Sequence, residues 1–188
     1  MHIRSILRSF GGFLATLAML LVLASSFVRA QSTDSAEISR LLKVAEEHAA
    51  LAADDAATLD SYTHSSVAWQ THGQKLGEMT DHVNALGRVS KELNDLSPQG
   101  SPWQQKAISQ IDSLLRDMAD QLTATINHLN KNQSRVHMPP FQNYVHASYE
   151  LASKTAQMIS DFVDYDQAAS KANDLERKLE LPKADTGE

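Results

Sequence analysis

Histidine is the chemically versatile side chain that this sequence repeats. Eight occur in 188 residues, and seven lie beyond residue 30: His48, His64, His72, His82, His128, His137 and His146. Placed beside carboxylates on helix faces, such a set could hold a metal ion, so the spacing decides. Carboxylate-bridged metal bundles use Glu together with Glu-x-x-His pairs on facing helices, and that spacing is absent here. Glu78 and His82 stand four residues apart instead, as do His146 and Glu150. Pairs at i, i+4 share a helix face. These four residues are the candidate metal ligands, with His72 as a separate ligand-contact or buried-polar candidate. The spacing favours a plainer reading for the two pairs, a surface hydrogen bond or weak ion pair.

His72 differs because it sits in register with apolar residues, between Trp69 and Leu76. It is expected to be partly buried, donating to a carbonyl or side chain of another helix, with ligand contact or pH response as the functional alternative. An axial His and Met pair for haem would draw on Met79, Met118 or Met158, which at these spacings read as core filler. Trp69, Trp103, Tyr144, Phe162 and Tyr165 read as core aromatics, the alternative being a small-molecule pocket between helices. Asp161, Asp164 and Asp166 read as a solvated face, since no twelve-residue calcium loop surrounds them. There is no Gly-x-Ser-x-Gly, no phosphate-cradling glycine loop and no His-Glu-x-x-His, so nothing points to an enzyme and no cofactor is expected.

The elements that must position these residues are helices. Beyond residue 30 glycine and proline are scarce, and apolar residues return every three or four positions. The spacing predicts a first helix over residues 35–59, with Asp34 and Glu37 as a capping pair. Its stripe is alanine-rich: Ile38, Leu41, Leu42, Ala45, Ala49, Ala52, Ala56 and Leu59. A second helix is predicted over residues 66–96, with Trp69, His72, Leu76, Met79, Val83, Leu86 and Leu93 facing inward. Gly73, Gly77 and Gly87 form a neighbouring small stripe, most simply explained by close approach of the alanine face of the first helix. Ser97-Pro98-Gln99-Gly100 then breaks the chain. Ser101, Pro102 and Gln104 launch a third helix that ends near Asn130. Pro139-Pro140 launches a fourth, running to about residue 181 along Tyr144, Ser148, Leu151, Thr155, Met158, Phe162, Tyr165, Ala169, Ala172 and Leu179. At about 1.5 Å per residue it would be about 60 Å long against about 45 Å for the second and third, so it must kink or project. The expected fold class is all-α, an antiparallel up-down-up-down four-helix bundle with a long C-terminal helix.

Residues 1–30 have the three parts of an export signal. Arg4 and Arg8 form a basic start, an uncharged apolar run follows from Phe13 to Leu23, and Val28-Arg29-Ala30 supplies small residues at the cleavage positions before Gln31. The alternative is an uncleaved membrane anchor. Cleavage removes three basic residues and no acidic one, shifting the net charge from −6 to −9. So acidic a chain is a poor match for nucleic acid or anionic membrane surfaces. With no cysteine there is no disulfide, thiolate metal site or lipid-anchoring thiol. The domain reading is a signal peptide over residues 1–30 and a single helical domain over residues 31–188.

Several short runs carry a resemblance: Pro102-Trp103-Gln104-Gln105, His128-Leu129-Asn130, and Ile159-Ser160-Asp161-Phe162-Val163-Asp164-Tyr165, with Trp69, His72 and His82-Val83-Asn84 alongside. In these runs the chain resembles a group of uncharacterised exported bacterial helical proteins with no assigned activity. The resemblance implies an exported helical protein and no site. The functional expectation is therefore a periplasmic or secreted, non-enzymatic interaction or structural protein with an envelope protein as partner and no stable membrane insertion after cleavage. A periplasmic metal or small-ligand carrier using the histidines is the alternative. An apolar stripe left uncovered on Ala169, Ala172, Leu175 and Leu179 would be the interaction surface.

Overall fold

The first helix starts one residue later than its capping pair suggests. In the computed structural model, which describes residues 34–180, Ser35 is the N-cap of α1 (Ala36–Thr63), its hydroxyl accepting the Ile38 N–H at 3.5 Å. Asp34 does not cap; its carboxylate accepts the Trp103 indole N–H at 2.7 Å. The proposed signal peptide and the chain end from residue 181 lie outside the described residues.

Three more helices follow. They are α2 (Trp69–Leu96), α3 (Pro102–Lys131) and α4 (Pro139–Lys178), joined by single 3-10 turns at Ser97–Gln99 and Gln133–Arg135. Proline opens both α3 and α4, where its fixed φ suits a helix and its missing N–H is not needed. The described residues contain no strand. Each helix packs on two neighbours: α1 on α2 and α4, and α3 on the same two. The result is an all-helical, bundle-like packing around one core, in which all eight expected apolar positions of α1 are buried. Ala45, Ala49, Ala52 and Ala56 keep that face thin, so both neighbours sit close to it. The large core members include Ile38, Leu42, Leu59, Leu76, Met79, Met118, Phe141 and Ile159, each 1% exposed or less. Burying each such side chain contributes about 1.5–3 kcal/mol.

Two sequence expectations need correction. The glycines of α2 do not receive the alanine face of α1. A Cβ on Gly73 would meet Leu129 of α3 at 3.7 Å, and one on Gly77 or Gly87 would meet nothing within 4 Å. The glycine that enforces close approach is Gly100, where a Cβ would lie 2.9 Å from the Ile38 side chain. The inward face of α4 is also rotated from the expected stripe. Phe141, Val145, Ser148, Ala152, Thr155, Ile159, Val163 and Asp166 are buried, whereas Tyr144 and Tyr165 are exposed. Two apolar rows run side by side on this helix. Beyond Phe141 the smaller or β-branched row fits between α1 and α3, leaving Leu151, Met158 and Phe162 half-buried at the margins.

α4 outruns the body. Ser39, in the first turn of α1, donates to Asp166 at 3.0 Å, so α4 is level with the start of α1 at that residue. Twelve helical residues follow, about 18 Å of helix at about 1.5 Å per residue. Of the two outcomes foreseen for its length, projection is the one found. Leu175 is 47% exposed and Leu179 63%.

Candidate functional site

The densest group of ionisable side chains lies between α1 and α2 and centres on a residue the sequence reading passed over. Asp55 falls between Ala52 and Ala56 on the inward face of α1 and is 9% exposed. Its Oδ1 accepts from Lys75 Nζ at 3.0 Å, and its Oδ2 lies 3.6 Å from His82 Nε2. Lys75 also donates to Glu78, which in addition accepts from Gln74 at 3.1 Å. The hydrogen bond to Glu78, and then that to Asp55, raises the Lys75 pKa above the ordinary lysine range. The Lys75 hydrogen bond holds the Glu78 carboxyl below the usual carboxylate range. The His48 ring lies 5.9 Å from that of His82. Two buried polar atoms in this group, Asp55 Oδ2 and His48 Nδ1, have no hydrogen-bond partner. The signal for Asp55 was available: a carboxylate three residues after one core alanine and directly before another.

The two candidate metal pairs are drawn to different parts of α1. Glu78 and His82 join the Asp55 group, while His146 places Nδ1 3.5 Å from Asp60 Oδ1 and Nε2 3.5 Å from Glu150 Oε1. The second arrangement is solvent-facing, with the His146 and Glu150 side chains more than half exposed. Among the described residues, no three His, Asp or Glu side chains converge as a metal site. Exposed pairs of this kind are worth about 0–1 kcal/mol.

His72 is more deeply placed than its position in the stripe suggests. It is wholly buried, and its Nδ1 lies 3.1 Å from the Ala68 carbonyl. That carbonyl is one turn back on its own chain rather than on another helix. The ring meets Phe141 at 5.5 Å, Tyr62 at 6.0 Å and His137 at 6.2 Å, all edge-on. His128 extends the cluster, stacked on Phe141 at 6.1 Å and near Tyr144 at 4.8 Å. His72 Nε2 has no hydrogen-bond partner. Met79 and Met118 are core members, and Met158 is half-buried.

At the opposite end a buried amide joins α3 to α1. Gln104 is fully buried. Its Oε1 accepts from the backbone N–H of Ser35 at 2.9 Å and of Ser101 at 3.1 Å, and its Nε2 donates to the Ser35 carbonyl at 3.0 Å. The capping residue foreseen for α3 thus also fixes the start of α1. Asp166, expected on a solvated face, is buried here by its contact with Ser39, whereas Asp161 and Asp164 are exposed. Trp103 and Tyr165 meet edge-on at 5.1 Å, closing this end just before α4 leaves it.

Between α2 and α3 lies an open groove of about 440 Å³, over Val83, Gly87, Leu115 and Ala119. Asp112 crosses its polar edge, accepting from Ser90 and Asn94 at 3.3 Å and pairing with Arg116. Ser90, Asn94 and Asp112 thus find their partners within the protein, while Asn84 and Lys91 also line the groove from α2. The uncovered end of α4 stands apart from all these clusters, and its exposed row begins one residue earlier than expected: Ala169 is half-buried, whereas Ala168, Ala172, Leu175 and the C-cap Leu179 follow at steps of four, three and four, all exposed. Among the described residues no helix is long and apolar enough to cross a membrane. No known protein family, curated protein or solved structure matches the chain.

Proposed function

We propose that this chain is an exported, non-enzymatic interaction protein of the cell envelope that engages its partner through the projecting end of α4. One observation carries the reading: the last twelve residues of the 40-residue helix run past the core, with Leu175 among them and Leu179 at the C-cap both left largely exposed. A helix with no partner is marginal in water at this length. An apolar row kept on such a helix is stabilised by whatever covers it. The Asp55 and Gln104 clusters serve the body instead, because each ties α1 to a neighbouring helix.

The body is an antiparallel up-down-up-down bundle that presents α4 from one end. Contacts at both ends support this order. The starts of α1 and α3 meet through Ser35 and Gln104, beside the late part of α4. At the other end Gln142, early in α4, donates to the Thr63 carbonyl at 3.1 Å. Export rests on residues 1–30, with cleavage after Ala30. Fractionation followed by N-terminal sequencing tests the compartment; the account requires a protein outside the cytoplasm that begins at Gln31. Chromatography with light scattering, on the chain and on a version ending at Asp166, tests the surface. Complexes formed with envelope proteins should disappear on truncation while helical content per residue is kept. Equal complex formation by both versions would remove the α4 reading.

A further inference from the structure

We infer that the partner of the α4 projection is a second copy of this chain, paired in parallel as a short coiled coil; the inference rests on the interaction reading above. Ala168, Ala172 and Leu175, with the C-cap Leu179 whose N–H still bonds the Leu175 carbonyl, fall at alternating d and a positions of two heptads. The outward positions of the same segment are polar: Ser170, Asn173, Asp174 and Arg177, the last two paired with each other. The positions flanking the seam decide the partner. Lys171 and Lys178 fall at g, and Ala169 and Glu176 at e. In a parallel pair, g of one helix faces e of the next heptad on the other, five residues further on. Lys171 of one copy therefore meets Glu176 of the second, and the twofold axis makes that contact twice. An antiparallel pair would set g against g and e against e, bringing like charges together. Neither Lys171 nor Glu176 has an ion-pair partner among the described residues.

Alanine at two of the four seam positions lets the helices approach closely but buries little area. The seam falls well short of the roughly 1,000 Å² typical of a stable interface. Association is accordingly weak and concentration-dependent.

Sedimentation equilibrium of the full chain, from micromolar to millimolar, reads the association directly. Lys171→Glu and Glu176→Lys should each weaken the dimer about tenfold, because two attractive pairs become repulsive. The double exchange K171E/E176K should restore it. Lys171 is exposed and Glu176 half-buried on the segment beyond the core, and neither belongs to that core, so folding is not at stake. The natural absence of cysteine gives a second readout: Leu179→Cys should form a disulfide-linked dimer on mild oxidation, as only parallel helices bring two copies of residue 179 together. A chain that stays monomeric throughout, or a dimer indifferent to the charge exchange, overturns the inference. If such a monomer still loses envelope complexes on truncation at Asp166, self-pairing falls and the interaction reading stands. If truncation changes nothing, both fall.

Discussion

Removing the Lys75 ammonium should destabilise the bundle by isolating Asp55 rather than by deleting a surface charge. The Lys75 and Asp55 side chains are only 19% and 12% exposed, and they join α1 to α2 at 3.0 Å. In Lys75→Met the Asp55 carboxylate keeps no direct hydrogen bond and only His82, at 3.6 Å, as a polar neighbour. Losing one partner of a fully buried pair costs about 3–5 kcal/mol. Exposed pairs contribute about 0.2–1 kcal/mol. This pair lies between those limits, so a loss of about 2 kcal/mol is expected. At this chain length that corresponds to a fall in Tm of about 5 °C. The double variant K75M/D55L removes both charges and fills the space with apolar atoms, so it should recover most of the loss. Thermal unfolding at neutral pH, followed by circular dichroism for the wild type and the single and double variants, measures the coupling. Moderate salt should change it little, because nearly buried charges are weakly screened. Additive single effects, or a loss under about 0.5 kcal/mol for Lys75→Met, would refute the placement of Asp55 at the hub.

Gln104→Leu should cost about 2–4 kcal/mol by chemical denaturation, since it leaves the backbone groups of Ser35 and the Ser101 N–H without their shared partner. Gly77→Ala and Gly87→Ala should each stabilise by about 0.5–1 kcal/mol, because an added Cβ meets open space and alanine favours the helix; a loss at either position would revive the close-approach explanation. The Lys75–Glu78 pair also has a pH signature. The Glu78 pKa is lowered, so its contribution is full above the ordinary carboxylate value of about 4.3 and fades as pH falls through the folded value. The Lys75 pKa is raised, so its contribution is full below about 10.4 and fades as pH climbs through the folded value. The stability difference between the wild type and Glu78→Gln should therefore shrink in acid and in strong base, and a difference constant across the whole range would contradict the pairing.

The helices were legible in the sequence because their residues obey one period over long stretches. In α1 the apolar residues are unambiguous, and every position assigned inward is buried. α4 was harder because two rows share Ser148 and Thr155: the expected one ran through Tyr144 and Tyr165, which are exposed, and the buried one runs through Val145, Ala152, Ile159, Val163 and Asp166. Hydrophobicity alone does not separate two adjacent rows; beyond Phe141, the space between α1 and α3 does. Thr125 and Ser148 hydrogen-bond each other at 2.9 Å in the interior, a pairing across 23 residues that no local pattern announces. The histidine pairs were visible as i, i+4 neighbours, but their cross-helix partners Asp55 and Asp60 depend on how α1 is rotated between α2 and α4. The excess length of α4 was readable from residue counting, whereas projection rather than a kink depended on where Asp166 meets Ser39.

The claim on which the functional account turns is that one face of the α4 projection is covered in the cell. A photo-reactive side chain placed singly at positions 168 to 179, with adducts resolved after irradiation of living cells, addresses it directly. Adducts should peak at Ala168, Ala172, Leu175 and Leu179 and be weak at Asn173 and Arg177 on the outer face. Uniformly weak labelling, or labelling strongest at Asn173 and Arg177, would contradict it.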